Sequence, residues 1–136
     1  MDKKILITGA VFGLLSVVLG AFAAHGLKPK IEVSAMDSFQ TGVRYQMYHA
    51  LLLLLVGSTK WLADKYKKIV YILILGGVLL FSGSIYALST NVLTAIDFKP
   101  FGFITPIGGL LLILSWGVLI LNFVKKKSDY CLFKLR

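Results

Sequence analysis

An all-α membrane protein is the fold this sequence predicts: a four-transmembrane-helix bundle with a short interfacial amphipathic helix between spans 1 and 2. Three observations carry it. The chain of 136 residues is 57% hydrophobic and only 15% charged, against about 45–50% apolar and about 25% charged in soluble domains. Its mean hydropathy is +0.83, and apolar runs long enough to cross hydrocarbon recur along it. Those runs are continuous, not alternating, which selects helices over a closed barrel, the two structures that satisfy the backbone in lipid. The chain is read as one domain, residues 1–136.

Met1-Asp2-Lys3-Lys4 precedes the first apolar run, residues 5–24, which at 1.5 Å per residue spans roughly 30 Å. Two lysines, an apolar run and Ala21-Phe22-Ala23 also fit a signal peptide, but the run is long for one, so a retained span is expected. Gly9, Gly13, Ser16, Gly20 and Ala24 recur at helical spacing and make a small-residue stripe suited to close helix packing, against another helix of this chain or a second copy. His25-Gly26-Leu27-Lys28-Pro29 ends the helix, with Gly26 expected in the left-handed terminal conformation. Ser34-Ala35-Met36-Asp37 matches a loose capping box. From there an interfacial helix over about 35–46 is expected, bending near Gly42 into a second span over about 47–62.

The basic turn Ala63 to Lys68 leads to a third span, residues 69–88, carrying Gly76 and Gly83. The connection to the fourth span holds Phe98, Phe101 and Phe103 and is expected at the interface. Thr105-Pro106 opens the fourth span, residues 105–124, with Gly108 and Gly109 as further packing positions. A tail, residues 125–136, mixes Tyr130, Leu132, Phe133 and Leu135 with basic residues and suits a lipid surface.

The formal charge is +9. The basic residues gather at helix ends, with no interleaved basic and aromatic surface, so orientation in a membrane is expected and nucleic acid is not. With four spans, only Lys28, Lys30, Arg44 and Lys99 lie on the side away from the termini. The positive-inside rule then makes both termini cytoplasmic in a plasma (inner) membrane. The single cysteine, Cys131, allows no intramolecular disulfide and becomes a free thiol in a reducing compartment.

That topology brings the unusual residues to one leaflet: His25, then Arg44, Gln46, Tyr48 and His49, then Ser82, Ser84 and Tyr86, then Thr105. The opposite leaflet reads as almost pure Leu, Ile and Val. Four stretches here resemble the signatures of the DUF423 (UPF0382) family of small bacterial membrane proteins, related to the eukaryotic transmembrane protein 256. They are Gly20-Ala21-Phe22-Ala23-Ala24-His25-Gly26-Leu27, Thr41 to Ala50, Phe81 to Tyr86 and Ile104 to Gly109. The likeness covers Ile5 to about Phe123, departs where the family pattern has glycine in place of Ala23, and is silent on the tail after Val124. It implies a four-helix membrane protein and no reaction, since no biochemical activity is established for the family.

The candidate residues divide by chemistry. His25 and His49 are two imidazoles where zinc takes three or four protein ligands, so no metal is expected. Hydrogen bonding to a serine, a tyrosine or a helix-end carbonyl is expected of them, with proton handling as the alternative. Arg44 is expected to snorkel or to pair with Asp37 or Asp97, with an anionic lipid headgroup as the alternative. Tyr45 and Tyr48 share a helix face as interfacial aromatics. All six acids, Asp2, Glu32, Asp37, Asp64, Asp97 and Asp129, lie outside the spans. No carboxylate can therefore orient an imidazole in a catalytic triad, nor carry protons at mid-membrane. No phosphate-binding or nucleotide fingerprint is present. The reading is a non-enzymatic membrane protein without cofactor. It would bind a membrane-protein partner, a lipid or copies of itself (a homo-oligomer) through its glycine-rich faces and polar cluster. The alternative is a small oligomeric transporter or channel with that cluster at its mouth.

Overall fold

The computed structural model describes residues 1–133, with side chains described through Lys125. It is helical throughout its regular structure. α1 (Asp2–Phe22) runs directly into a π-helical turn (Ala23–Leu27), followed by α2 (Val33–Ser58), α3 (Asp64–Ser89) and α4 (Ile104–Phe133). Single 3-10 turns at Asn91–Leu93 and Lys99–Phe101 shape the connection between α3 and α4. The expectations for Tyr130, Cys131 and the rest of the tail fall outside the described side chains.

The helices pack in chain order, α1 on α2, α2 on α3 and α3 on α4. They alternate in direction. The start of α1 meets the start of α3 through the Asp2–Lys67 ion pair, and Gly57 near the end of α2 lies against Leu6. One end of the bundle, the termini end, thus holds the start of α1, the α2–α3 turn and Lys125 beside Tyr66. The other, the loop end, holds the α1–α2 and α3–α4 connections.

Three helical segments are long and apolar enough to cross a membrane: Asp2–Leu27, Asp64–Ser89 and Lys99–Lys125. Their outer faces are apolar too. Leu14, Val17, Ile113 and Ile120 are all more than 60% exposed, which a protein in water would bury and lipid accepts. Polar groups meanwhile turn inward, so the chain is inside-out relative to a soluble bundle. α2 is the most polar of the four helices, since it carries Asp37, Gln40, Arg44 and Gln46.

Several local expectations are corrected. The residues expected as an interfacial helix and as a second span belong to one unbroken α2, without a break at Gly42. The missing side chain there makes room for the Tyr86 ring, whose carbon would lie 2.8 Å from a Cβ. Ser34 does not cap α2. The helix begins two residues earlier than expected, at Val33, with Glu32 as its cap residue and no side-chain cap bond. Gly26 is not left-handed, and no described residue has positive φ. α1 instead ends by widening into the π-turn, closed by the Lys28 N–H on the Ala23 carbonyl at 3.1 Å.

Close approach uses fewer of the expected glycines and some unexpected ones. A Cβ on Gly9 would meet the Ala50 carbonyl oxygen at 3.0 Å, and one on Gly108 the Phe81 backbone nitrogen at 2.3 Å. Gly13, Gly20, Gly76 and Gly109 leave room for a methyl group, their nearest contacts being 3.4 Å or more. Gly83 faces open space with nothing within 4 Å, because it lies on the outer side of α3. Gly42, Gly57 and Gly77 are the tight positions the spacing does not announce.

Candidate functional site: a buried polar network and an exposed charged rim

The buried network is centred on Gln46. Its side chain is 4% exposed and bridges three helices. The amide nitrogen donates to the Phe12 carbonyl of α1 at 3.0 Å, and the amide oxygen accepts from the Tyr86 hydroxyl of α3 at 2.8 Å. Ser16 donates to the same Phe12 carbonyl at 2.9 Å. One turn earlier on α2, the Gly42 carbonyl accepts from buried Ser82 at 2.8 Å. Two β-carbonless or small positions, Gly42 and Ser82, let α2 and α3 come close enough for these bonds.

His49 joins α2 to α4. Its Nδ1 lies 2.7 Å from the Tyr45 carbonyl, and the Trp116 indole donates to its Nε2 at 3.2 Å. An indole nitrogen can only donate. Nε2 must therefore accept, the ring proton sits on Nδ1, and that N–H donates to Tyr45. Both ring nitrogens are used, so His49 is a neutral connector with no lone pair left for a metal. Ser84 and Thr105 share a hydrogen bond between α3 and α4 nearer the loop end, and Ser84 also donates to the Phe81 carbonyl at 3.0 Å.

Thus Gln46, His49, Ser82, Ser84, Tyr86 and Thr105 face the bundle interior and join neighbouring helices. His25, Arg44 and Tyr48 do not join them; all three are exposed. His25 lies on the π-turn. Arg44 donates only from Nε to the Gln40 carbonyl of its own helix, at 3.3 Å, and pairs with neither Asp37 nor Asp97. The Tyr48 ring lies 6.0 Å from Tyr45 on the outer face of α2. The two histidines are well separated along the bundle, because Ala50 packs at Gly13 in mid-α1 while His25 follows its end. Among the described residues no group of three or more His, Cys, Asp or Glu gathers as metal ligands would.

Two features depart from the expected division of leaflets. Phe12 is the midpoint of α1, so the Gln46 network reaches the middle of the bundle and is not confined to one end. The termini end is not purely aliphatic either. Lys67 is 3% exposed and pairs with Asp2 at 3.0 Å, Thr8 bonds Tyr71 at 3.1 Å, and Asn122 is 6% exposed. Composition hides these because one polar residue per helix turn barely alters an apolar window. Trp116 could have been found as an indole donor in need of a buried acceptor.

A family model described as a protein of unknown function (DUF423) matches residues 19–109. The chain belongs to the DUF423 family. Its segment contains the π-turn, Gln46, His49, the Ser82–Tyr86 run and Gly108, so most of the network sits within the family's shared region. Two relatives extend the likeness beyond it. The UPF0382 membrane protein YwdK of Bacillus subtilis is 42% identical over 90% of this chain and 98% of its own length. A UPF0382 membrane protein of Haemophilus influenzae is 39% identical over 94% and 99% respectively. No solved structure matches this DUF423 chain.

Proposed function

We propose that this protein works by binding, as a non-enzymatic four-span membrane protein whose ligand or partner engages the loop end. One observation supports this most. The polar side chains Gln46, His49, Ser82, Ser84, Tyr86 and Thr105 are paired with one another, with Trp116 or with backbone, while the charged ones at the loop end make no ion pair among the described residues. A paired interior fixes helix register. An unpaired rim of Lys28, Asp37, Arg44 and Tyr48 is what a lipid headgroup or a partner would contact.

The topology is part of the reading. α2 lies antiparallel between α1 and α3 and carries Leu51 to Val56, so it spans with them, and the basic termini end faces the cytoplasm of a plasma membrane. Cysteines placed at Lys30 and Asp64 in a Cys131→Ser background give the check. An impermeant maleimide on intact cells should label position 30 and spare position 64, and the reverse labelling would overturn the orientation.

The binding reading is tested by native mass spectrometry of protein gently extracted from its own membrane, beside Arg44→Ala and His49→Ala. A discrete lipid or protein should co-purify and be weakened by Arg44→Ala. A bare protein in all three samples, with solute flux in proteoliposomes, would overturn it. The depth of the Gln46–Phe12 and His49–Trp116 bonds favours such a transporter as the second reading, since transport sites are built near mid-membrane.

A further inference from the structure

Beside the π-turn, where α1 passes into α2, lies a cavity of about 320 Å³, within the ordinary range of small-ligand pockets. Ala23, Ile31 and Met36 give it apolar walls, and Lys28, Asp37 and Gln40 supply its polar groups. The π-turn creates the site. Its hydrogen bond from Lys28 N–H to the Ala23 carbonyl holds Lys28 over the cavity wall that Ala23 forms. Single π-turns inside α-helices occur often at functional sites.

The charges on this cavity are unlike and unjoined. Lys67–Asp2 is the one ion pair among the described residues, so Lys28 and Asp37 border the same space without meeting. Neither side chain, nor that of Gln40, makes a hydrogen bond within the described residues. A simple anion here would meet the Asp37 carboxylate, and a simple cation the Lys28 ammonium. A molecule carrying both signs satisfies both.

We propose that this cavity binds a primary-amine zwitterion, its phosphate or carboxylate on Lys28 and its ammonium on Asp37 and the Gln40 amide oxygen, with an apolar portion against Ile31 and Met36. A primary ammonium fits because carboxylate and amide both accept N–H bonds, which a quaternary ammonium cannot give. The inference rests on the binding reading above and names its ligand class. Two sources share the chemistry: an ethanolamine phospholipid headgroup and a free zwitterion such as phosphoethanolamine.

The experiment is native mass spectrometry from nanodiscs holding phosphatidylethanolamine, phosphatidylcholine and phosphatidylglycerol in equal parts. Wild type should retain the ethanolamine lipid about tenfold over the other two, one charge-assisted bond being worth about that factor. Asp37→Asn should erase the preference and Lys28→Gln should lower retention of all three lipids, while thermal stability in lipid-free detergent is unchanged, because neither side chain makes a hydrogen bond or ion pair within the described residues. Added free phosphoethanolamine that displaces the lipid would identify the soluble form as ligand, and failure to displace would identify the lipid; both support the site. Equal retention of the three lipids, a preference for phosphatidylglycerol, or variants that bind as wild type would overturn it. If a molecule is retained by both variants and lost in Arg44→Ala, the binding reading stands without this site. If nothing is retained by any sample, both fall.

Discussion

The two ends of this bundle meet the same demands with different materials. Each must bring helices close, and each must hide polar groups from lipid. Toward the loop end, backbone meets backbone: Gly108 sits so near Leu80 and Phe81 that an added Cβ would lie 2.3 to 2.8 Å from main-chain atoms. Toward the termini end Gly57 meets the Leu6 and Ile5 side chains first, at 2.9 to 3.3 Å, and the closest main-chain approach in that half is the looser one of Gly9 to the Ala50 carbonyl oxygen, at 3.0 Å. From mid-bundle to the loop end, Gln46, His49, Ser82, Ser84, Tyr86 and Thr105 are each hydrogen-bonded. At the termini end Lys67 has one half-exposed partner, and the Asn122 amide nitrogen and Thr59 hydroxyl have none among the described residues. The contrast separates polarity that specifies an arrangement from polarity that is only accommodated. In lipid that distinction matters, because apolar contacts with a neighbouring helix and with acyl chains differ little in energy.

The sharpest way to break this comparison is to add one methyl group at each end. Main chain cannot swing aside, so Gly108→Ala must push α3 and α4 apart, at a cost of about 3 kcal/mol or more. Gly57→Ala asks a leucine side chain to change rotamer, at about 1 kcal/mol. Gly83→Ala, which meets nothing, should leave stability unchanged or slightly raised through helix propensity. Thermal unfolding of the three variants in one detergent gives the order, and a Gly108 variant as stable as the Gly57 variant would remove the claimed difference.

Removing the centre of the network comes next. Gln46→Leu deletes two interhelical bonds and removes the acceptor of the Tyr86 hydroxyl, while the Phe12 carbonyl keeps Ser16. Interhelical hydrogen bonds in membranes average about 0.6 kcal/mol with a maximum near 1.7, so a loss of about 1–2 kcal/mol is expected. His49→Phe should cost about 1 kcal/mol and shift Trp116 fluorescence, since the indole N–H loses its acceptor. Equal stability with unshifted emission would mean that the Trp116–His49 bond does not persist in the membrane protein.

Much of this was legible in the residues. Continuous apolar runs announced the helices, and Gln46, His49, Ser82 and Tyr86 stood out as groups that hydrocarbon would reject. Helical phase was harder to see. Arg44 and Gln46 are two apart, so one faces out when the other faces in, and membership in one motif placed them together. Partners that are backbone atoms, such as the Phe12 and Gly42 carbonyls, leave no mark in composition. Lys67 read as one of several lysines in a basic turn, and only the fold shows that Asp2 receives it. The π-turn was invisible because Ala23 to Leu27 carries the residues of an ordinary helix end.

The ion pair at the termini end should respond asymmetrically. Asp2→Asn leaves the Lys67 ammonium buried and without an opposite charge, whereas Lys67→Met removes the charge and keeps the apolar stem. The carboxylate is half exposed, which screens the pair, so about 1 kcal/mol is expected for Asp2→Asn and less for Lys67→Met. Matching losses would instead assign the contribution to the pair itself, and would make the termini end as specified as the network.

The smallest effect tests the comparison most directly. Asn122 is buried in α4 with its amide nitrogen unpaired among the described residues. An unsatisfied buried donor lowers stability, and replacing it with an apolar side chain of similar branching removes that penalty. Asn122→Leu should therefore be neutral or stabilising by up to about 1 kcal/mol, where Gln46→Leu, the same kind of exchange near mid-bundle, is destabilising. Opposite signs for one chemical change would arise because Gln46 has two partners to lose and Asn122 has none among the described residues. If Asn122→Leu instead lowers the unfolding temperature as Gln46→Leu does, its amide has an acceptor in the membrane-embedded protein. A second copy of the chain is the first place to look, by comparing oligomeric state between Asn122→Leu and wild type.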